Sequence, residues 1–318
     1  MNVLAQTVTD RFSLYNGDCC EVLRALPESS IHYSIFSPPF ASLYTYSNSP
    51  RDLGNCRTTE EFLDHFAFVA HELFRVLKPG RLVSMHCMLL PTSKAHHGYI
   101  GLLDFRGDLI RAMQRVGFIF HSEVTIWKDP VTAMQRTKAL GLLHKQLKKD
   151  SSLSRQGIPD YLVTMRKPGE NDEPISHTNE SFPVELWQRY ASPVWVTTGD
   201  IDNEGFRLCS DEERPDDDAS GIDATNTLQY RSAREHDDEK HICPLQLGVI
   251  RRAVRLWTNP GDIVLSPFAG IGSEGYVALR EGRRFVGVEL KRSYYEQAAR
   301  NLAEAATVRQ GSLFGAVH

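Results

Sequence analysis

Two short stretches carry residue types at spacings that can do chemistry. The first is Ser37-Pro38-Pro39-Phe40, which follows the apolar run Ile35-Phe36. Proline fixes φ, has no N–H and pushes the preceding residue into extended geometry, so the carbonyls around the pair can receive donors from elsewhere. The Ser37 hydroxyl and the Pro38 carbonyl can accept the two N–H bonds of a planar amino group while Phe40 stacks on its ring. A proline-stiffened turn without any chemistry carries the same local signature. The second stretch is Phe268-Ala269-Gly270-Ile271-Gly272-Ser273, between the strand-like Ile263–Ser266 and a helical Tyr276–Arg280. Glycines at 270 and 272 let a ligand approach the backbone closely. Strand, glycine turn and helix form a nucleotide-cofactor cradle. Glu289 ends the next strand-like run, about 20 residues past the turn, where an acid accepts a ribose hydroxyl pair.

The elements that must hold these stretches alternate along the chain. Phe12 to Asp18 reads as a strand, Cys20 to Leu26 as a helix and Ile31 to Phe36 as a second strand, which is the crossover of a parallel sheet. Ligands of open α/β sheets bind beyond the carboxyl ends of the strands, where both Asp18 and Ser37 would lie. Asp18 fits a helix N-cap equally well. Thr59 to Leu77 has apolar residues at 62, 63, 66, 69, 70, 73, 74 and 77, an amphipathic helix stopped by Lys78-Pro79-Gly80. Strands are expected over 81–88 and 118–127 and from Asp160, and helices over 108–116 and 245–257. The fold class is therefore α/β, a doubly wound sheet.

Hydrophobic content of 41% and charged content of 24% are those of a soluble globular protein. The formal net charge of −4 argues against a uniformly basic nucleic-acid binder and leaves room for a local patch. Such a patch lies at 131–157, where Arg136, Lys138, Lys145, Lys148, Lys149 and Arg155 face the single acid Asp150. It can contact phosphates, or be a solvated face. The polar, aromatic run 41–58 reads as a lid, with Tyr44 a stacking candidate. From 170 to 239 the chain turns acidic and irregular, a surface insertion to which Phe182 to Val196 is the exception, a segment able to dock on the main domain. Arg231 and Arg234 are further candidate DNA contacts. The six cysteines show no metal spacing and read as reduced thiols. The amino-terminal run lacks a signal-peptide core, which points to a cytoplasmic protein.

Ser37-Pro38-Pro39-Phe40 together with Phe268-Ala269-Gly270-Ile271-Gly272 resembles the amino-group DNA methyltransferases that act on cytosine N4 or adenine N6. With the catalytic turn first and the glycine cradle last, the order is similar to that of the permuted beta group. The run 230–246 looks most like phage and mobile-element enzymes. The resemblance implies a circularly permuted Rossmann-like fold of the S-adenosylmethionine-dependent type. It divides the chain into a catalytic half (1–168), a target-recognition insertion (169–240) and a cofactor-binding half (241–318). It implies S-adenosyl-L-methionine as cofactor, held by Asp18, Pro244, Phe268, Gly270, Gly272, Ser273 and Glu289. Ser37, Pro38, Pro39 and Phe40 would hold a base flipped out of double-stranded DNA. No Pro-Cys nucleophile is present, so no covalent enzyme intermediate is implied, and no metal. Ser in place of the Asp or Asn usual in adenine enzymes points to cytosine N4, with adenine N6 the alternative. Methyltransferases of RNA or of protein glutamine would place the cradle before the turn, and a noncatalytic DNA-binding module would need neither. A homodimer and a cognate restriction nuclease are the further partners that the resemblance allows.

Overall fold

The computed structural model describes residues 3–39, 52–56, 58–137, 140–198, 222–223, 226–229, 233 and 245–307. The hairpin of β1 (Ala5–Val8) and β2 (Phe12–Asn16) opens the chain. Asp18 then caps α1 (Cys19–Ala25), and β3 (Ile31–Phe36) is buried along its whole length. α2 (Thr59–Val76) begins at a capping box, with the Thr58 hydroxyl accepting from the Glu61 N–H. β4 (Leu77–Met88) follows directly. The stop expected at Lys78-Pro79-Gly80 becomes an irregularity inside this strand: Ile31 pairs with Leu77 but Tyr33 pairs with Leu82. Gly80 sits there at φ +71°.

A small hairpin of β5 (Leu90–Pro91) and β6 (Leu102–Leu103), with the short α3 (Lys94–His97) between them, leads to α4 (Phe105–Val116). α4 starts earlier than its apolar spacing indicates because Asp104 caps it, and it ends on Gly117 in the left-handed conformation. Next come β7 (Ile119–Trp127), α5 (Pro130–Thr137), α6 (His144–Leu147) and β8 (Asp160–Arg166). They are followed by α7 (Val184–Tyr190), β9 (Val194–Thr198) and β10 (Ile222–Asp223). The last part of the chain is α8 (Leu247–Trp257), β11 (Ile263–Ser266), α9 (Ser273–Arg280), β12 (Arg284–Glu289) and α10 (Arg292–Thr307).

Among the described residues the central sheet runs β1-β2-β12-β11-β3-β4-β8-β7-β9-β10. β2, β12, β11, β3 and β4 are mutually parallel, so their carboxyl ends share one rim. β8 runs antiparallel to both β4 and β7. The sheet is therefore mixed, and β8 brings its amino end to the rim where its neighbours bring their carboxyl ends. Consecutive residues serve opposite faces: Val264 packs with α8, α9 and α10, and Leu265 with α1, α2 and α4. β9 pairs in parallel with β7, and its Trp195 is buried. Residues 194–198 thus belong to the central sheet; most of them fall in the run Phe182 to Val196, expected as the docking exception within a segment otherwise read as a surface insertion. The acidic runs behind that expectation, Asp211-Glu212-Glu213 and Asp216-Asp217-Asp218, lie outside the described residues.

Far from the rim, the fully buried Arg81 donates to Asp262 at 3.0 Å and to the Glu173 carbonyl at 2.8 Å, tying the starts of β4 and β11 to the 170s segment. Among the described residues no helix is long and apolar enough to cross a membrane.

Close packing at the start of α9 gives one test. A Cβ at Gly275 would stand 2.5 Å from the buried Phe285 ring and 2.6 Å from Leu302. Gly275→Ala is expected to lower unfolding free energy by on the order of 2 kcal/mol, read as a shift of the urea midpoint at unchanged slope.

Candidate active site

Each parallel strand delivers one functional residue to the rim. Asn16 of β2 lies opposite Glu289 of β12, and its side-chain amide donates to the carbonyls of Glu289 at 2.8 Å and Leu290 at 3.0 Å. The Gly17 N–H also donates to the Glu289 carbonyl at 3.1 Å, so Asp18 follows directly on the joined ends of β2 and β12. One Asp18 carboxylate oxygen accepts from the Cys20 N–H at 2.8 Å, so the helix-cap alternative is realised. The Glu289 carboxyl accepts from the Gly270 N–H and the Lys291 N–H, each at 2.8 Å. The glycine turn is thereby fastened to the end of β12. Gly270 stands at φ +52° with none of the described residues within 4 Å of where a Cβ would be, and Gly272 at φ +89° starts α9. Ser273 is buried in the first turn of that helix. The buried Ser266 hydroxyl, at the exit of β11, has no hydrogen-bond partner among the described residues.

Sequence reasoning missed two further acids on this side. Asp52, buried, accepts from the Gly54 N–H at 2.8 Å, and its charge is felt at Glu289. Glu274, also buried, follows Ser273. Burial pushes the Glu274 carboxyl up to about 8, and the neighbouring Glu289 adds to the rise. Burial likewise pushes Glu289 up to about 7, with the Lys291 and Gly270 N–H groups opposing and Asp52 adding. An acidic shell of this kind suits a ligand that carries positive charge.

β3 ends beside this cradle. The Ser34 hydroxyl donates to the Leu265 carbonyl at 3.0 Å, and the rings of Phe36 and Phe268 meet edge to face at 5.6 Å. Ser37 follows, half-buried, with Pro38 buried and Pro39 half-buried. Ser37 Oγ lies 3.0 Å from His86 Nδ1, and His86 Nε2 lies 2.9 Å from Asp160 Oδ2. The Lys128 ammonium completes the row, 2.5 Å from the same carboxylate oxygen. Burial alone would raise the Asp160 carboxyl, but Lys128 and His86 overcome it and hold the group down at about 2. The row crosses β3, β4, β8 and β7 in order. The register brings them together diagonally: Phe36 faces Met85, so Ser37 and His86 come next to each other, while Asp160 faces Met88 and Ile126, two residues beyond His86 on β4 and two before Lys128. None of these three partners carries a local motif, and 74 residues separate His86 from Asp160.

Residues 131–157 form the connection between β7 and β8, held at its two ends by the Lys128–Asp160 pair. Lys145, Lys148 and Lys149 are exposed on it, with Leu147 exposed among them. Arg155 is half-buried instead, lining a 220 Å³ cavity with Lys94 and Gly141. Arg136 lies in α5, where its backbone alone is described. Phe40, Tyr44, Lys138, Arg231, Arg234 and Pro244 lie outside the described residues.

Fold and site together define a Rossmann-like α/β enzyme of the methyltransferase type. A family model described as DNA methylase, covering the N6 and N4 methyltransferases, matches residues 31–300. The chain belongs to this family of amino-group DNA methyltransferases. It is 26% identical over 212 residues to the DNA adenine methyltransferase YhdJ of Escherichia coli, covering 59% of this chain and 72% of that one. Among solved structures, the cytosine-N4-specific PvuII DNA methyltransferase superposes with a TM-score of 0.61 at 20% identity, over 97% of this chain and 91% of that one. A Thermus thermophilus protein solved with S-adenosyl-L-methionine superposes with a TM-score of 0.62 at 22% identity, over 93% and 96%. The fold is shared with both structures.

The raised Glu274 has a consequence for stability. Between the ordinary carboxylate range of the unfolded chain and about 8, the folded protein holds a proton that the unfolded chain has released. Stability contributed by the neutral form is therefore lost as pH rises through this window. Glu274→Gln is expected to raise the urea midpoint of the unliganded protein at pH 8.5, with the gain fading toward about pH 4.5.

Proposed function

We propose that the enzyme transfers the methyl group of S-adenosyl-L-methionine to the exocyclic amino nitrogen of a base flipped out of double-stranded DNA, with cytosine N4 the preferred acceptor. The observation that carries this reading is the adjacency of two strand ends: the acceptor turn at Ser37 and the glycine turn at Gly270 leave neighbouring parallel strands on one rim. The cradle fits the cofactor. Among the described residues, open space at Gly270, the unpartnered Ser266 hydroxyl and the acids Asp18 and Glu289 offer room, a donor and two acceptors. Asp18 would take the adenine amino group, Glu289 the ribose hydroxyls, and Gly270, Gly272 and Ser273 the amino-acid end, with Phe268 and Pro244 beside it. When bound, the cofactor supplies a methyl group on a positively charged sulfur.

The chain's own residues do the rest. Ser37 Oγ and the Pro38 carbonyl accept the two amino N–H bonds, which draws the nitrogen lone pair out of conjugation with the ring and toward the methyl carbon. Phe40 stacks on the base, and Tyr44 with the 41–58 lid covers it. A planar base cannot present its amino group inside a duplex, so flipping comes first. Lys145, Lys148, Lys149 and Arg155, with Arg136, Lys138, Arg231 and Arg234, contact phosphates, and the 169–240 region reads the target sequence. A hydroxyl as first residue of the turn supports cytosine over adenine.

Two measurements test this. Nucleoside mass spectrometry of DNA treated with the protein and cofactor is expected to give N4-methylcytosine; N6-methyladenine alone would overturn the choice of base. Lys145→Ala/Lys148→Ala/Lys149→Ala is expected to weaken binding across DNA sequences and to flatten the slope of log affinity against log salt by about 3, one for each phosphate that is no longer neutralised.

A further inference from the structure

The row Ser37–His86–Asp160–Lys128 has a direction that its geometry fixes. The Asp160 carboxylate, buried and paired with Lys128, is ionised and can only accept. The proton shared at 2.9 Å therefore belongs to His86 Nε2. In the neutral form of the imidazole that proton leaves the lone pair at Nδ1, and the Ser37 hydroxyl then donates to it across 3.0 Å. With its one proton committed to His86, Ser37 Oγ offers only lone pairs to a substrate. This is what an acceptor for an amino group needs, and a hydroxyl free to rotate would not supply it.

Resting on the reading that Ser37 receives the amino group, we propose that His86 is a positioning residue that fixes Ser37 as an acceptor and takes, through Ser37, the proton that the amino nitrogen loses. The nitrogen lone pair forms the N–C bond while the carbon–sulfur bond breaks and its electron pair stays on sulfur. The nitrogen, now with one bond too many, releases a proton to Ser37 Oγ as the Ser37 O–H proton moves to His86 Nδ1. The product is a neutral methylated amine and an imidazolium held against Asp160. Lys128 keeps Asp160 a weak base, so the proton stays on the imidazole and then leaves to water. Because Lys128 and Asp160 also close the base of the basic segment 131–157, the relay is anchored where that segment leaves the sheet.

His86→Gln separates this role from a structural one. Glutamine can accept from Ser37 and donate to Asp160, which preserves both hydrogen bonds, but it cannot hold the transferred proton. The test is the single-turnover rate of labelled methyl transfer to genomic DNA from a methylation-free host, with cofactor affinity by calorimetry and thermal midpoint measured alongside. His86→Gln is expected to slow transfer about 100-fold while cofactor affinity stays within about threefold. His86→Ala, given imidazole in solution, is expected to regain part of the rate. Transfer by His86→Gln within about threefold of the parent rate, or no response of a folded His86→Ala to imidazole, would overturn the relay. If His86→Ala does not fold, the glutamine variant decides alone. A parent protein that methylates no amino group removes the reading beneath the relay as well, whereas an active parent with an equally active His86→Gln removes the relay only.

Discussion

The pairing of β11 with β3 is the contact on which the rest of the site depends. It joins residues 231 positions apart, through main-chain bonds and the buried hydrogen bond from Ser34 to Leu265. Closing so long a separation costs conformational entropy, though the cost grows only slowly with length. Burial offsets it: Tyr33, Ile35 and Val264 pack under one helical layer and Leu265 under the other. Once this register is set, the exit of β3 must lie beside the exit of β11. The acceptor turn and the glycine turn become neighbours by strand geometry alone. Neither turn has to find the other through flexible loops.

Charge divides the rim in a way that the net value of −4 conceals. Asp18, Asp52, Glu274 and Glu289 gather where β2, β12 and β11 end, and Lys128, Lys145, Lys148 and Lys149 lie beyond β7. A ligand bearing a sulfonium and a polyanionic duplex would thus be drawn to opposite ends of one crevice. Raised carboxyls on the first side are a cost of crowding acids in low dielectric, and a cationic ligand relieves it. Ser37 stands between the two fields. The antiparallel β8 makes the arrangement possible, because its first residue, Asp160, is an acid that a parallel strand would have left at the far edge of the sheet.

Much of this was legible in the sequence. Strand ends with unusual residues, Ser37 before two prolines and Gly270 after a buried strand, announce themselves locally, and Glu289 follows at a characteristic spacing. The helix cap at Asp18 could also be read directly. What stayed hidden depends on pairing. His86 sits in a strand buried on both faces, where a polar residue has no periodic signature, and Asp160 gains its role only from the register of β8 against β4. The run Phe182 to Val196 could be read as docking on the main domain, but not as adding a strand, because the partner of Trp195, Ile126 of β7, lies far back in the chain. Pro79 and Gly80 looked like a turn because a strand irregularity uses the same residues.

The central claim is that one rim brings an amino group held by Ser37 to a cofactor held by Glu289. A crystal structure with a non-transferable analogue of S-adenosylmethionine and a duplex bearing the methylation site measures it most directly. The account predicts a base outside the stack with its amino nitrogen within about 3.2 Å of Ser37 Oγ. It also predicts the analogue's ribose hydroxyls on Glu289 and its adenine beside Asp18. A base whose amino group rests against residues other than Ser37, or an analogue bound away from Glu289, would contradict it.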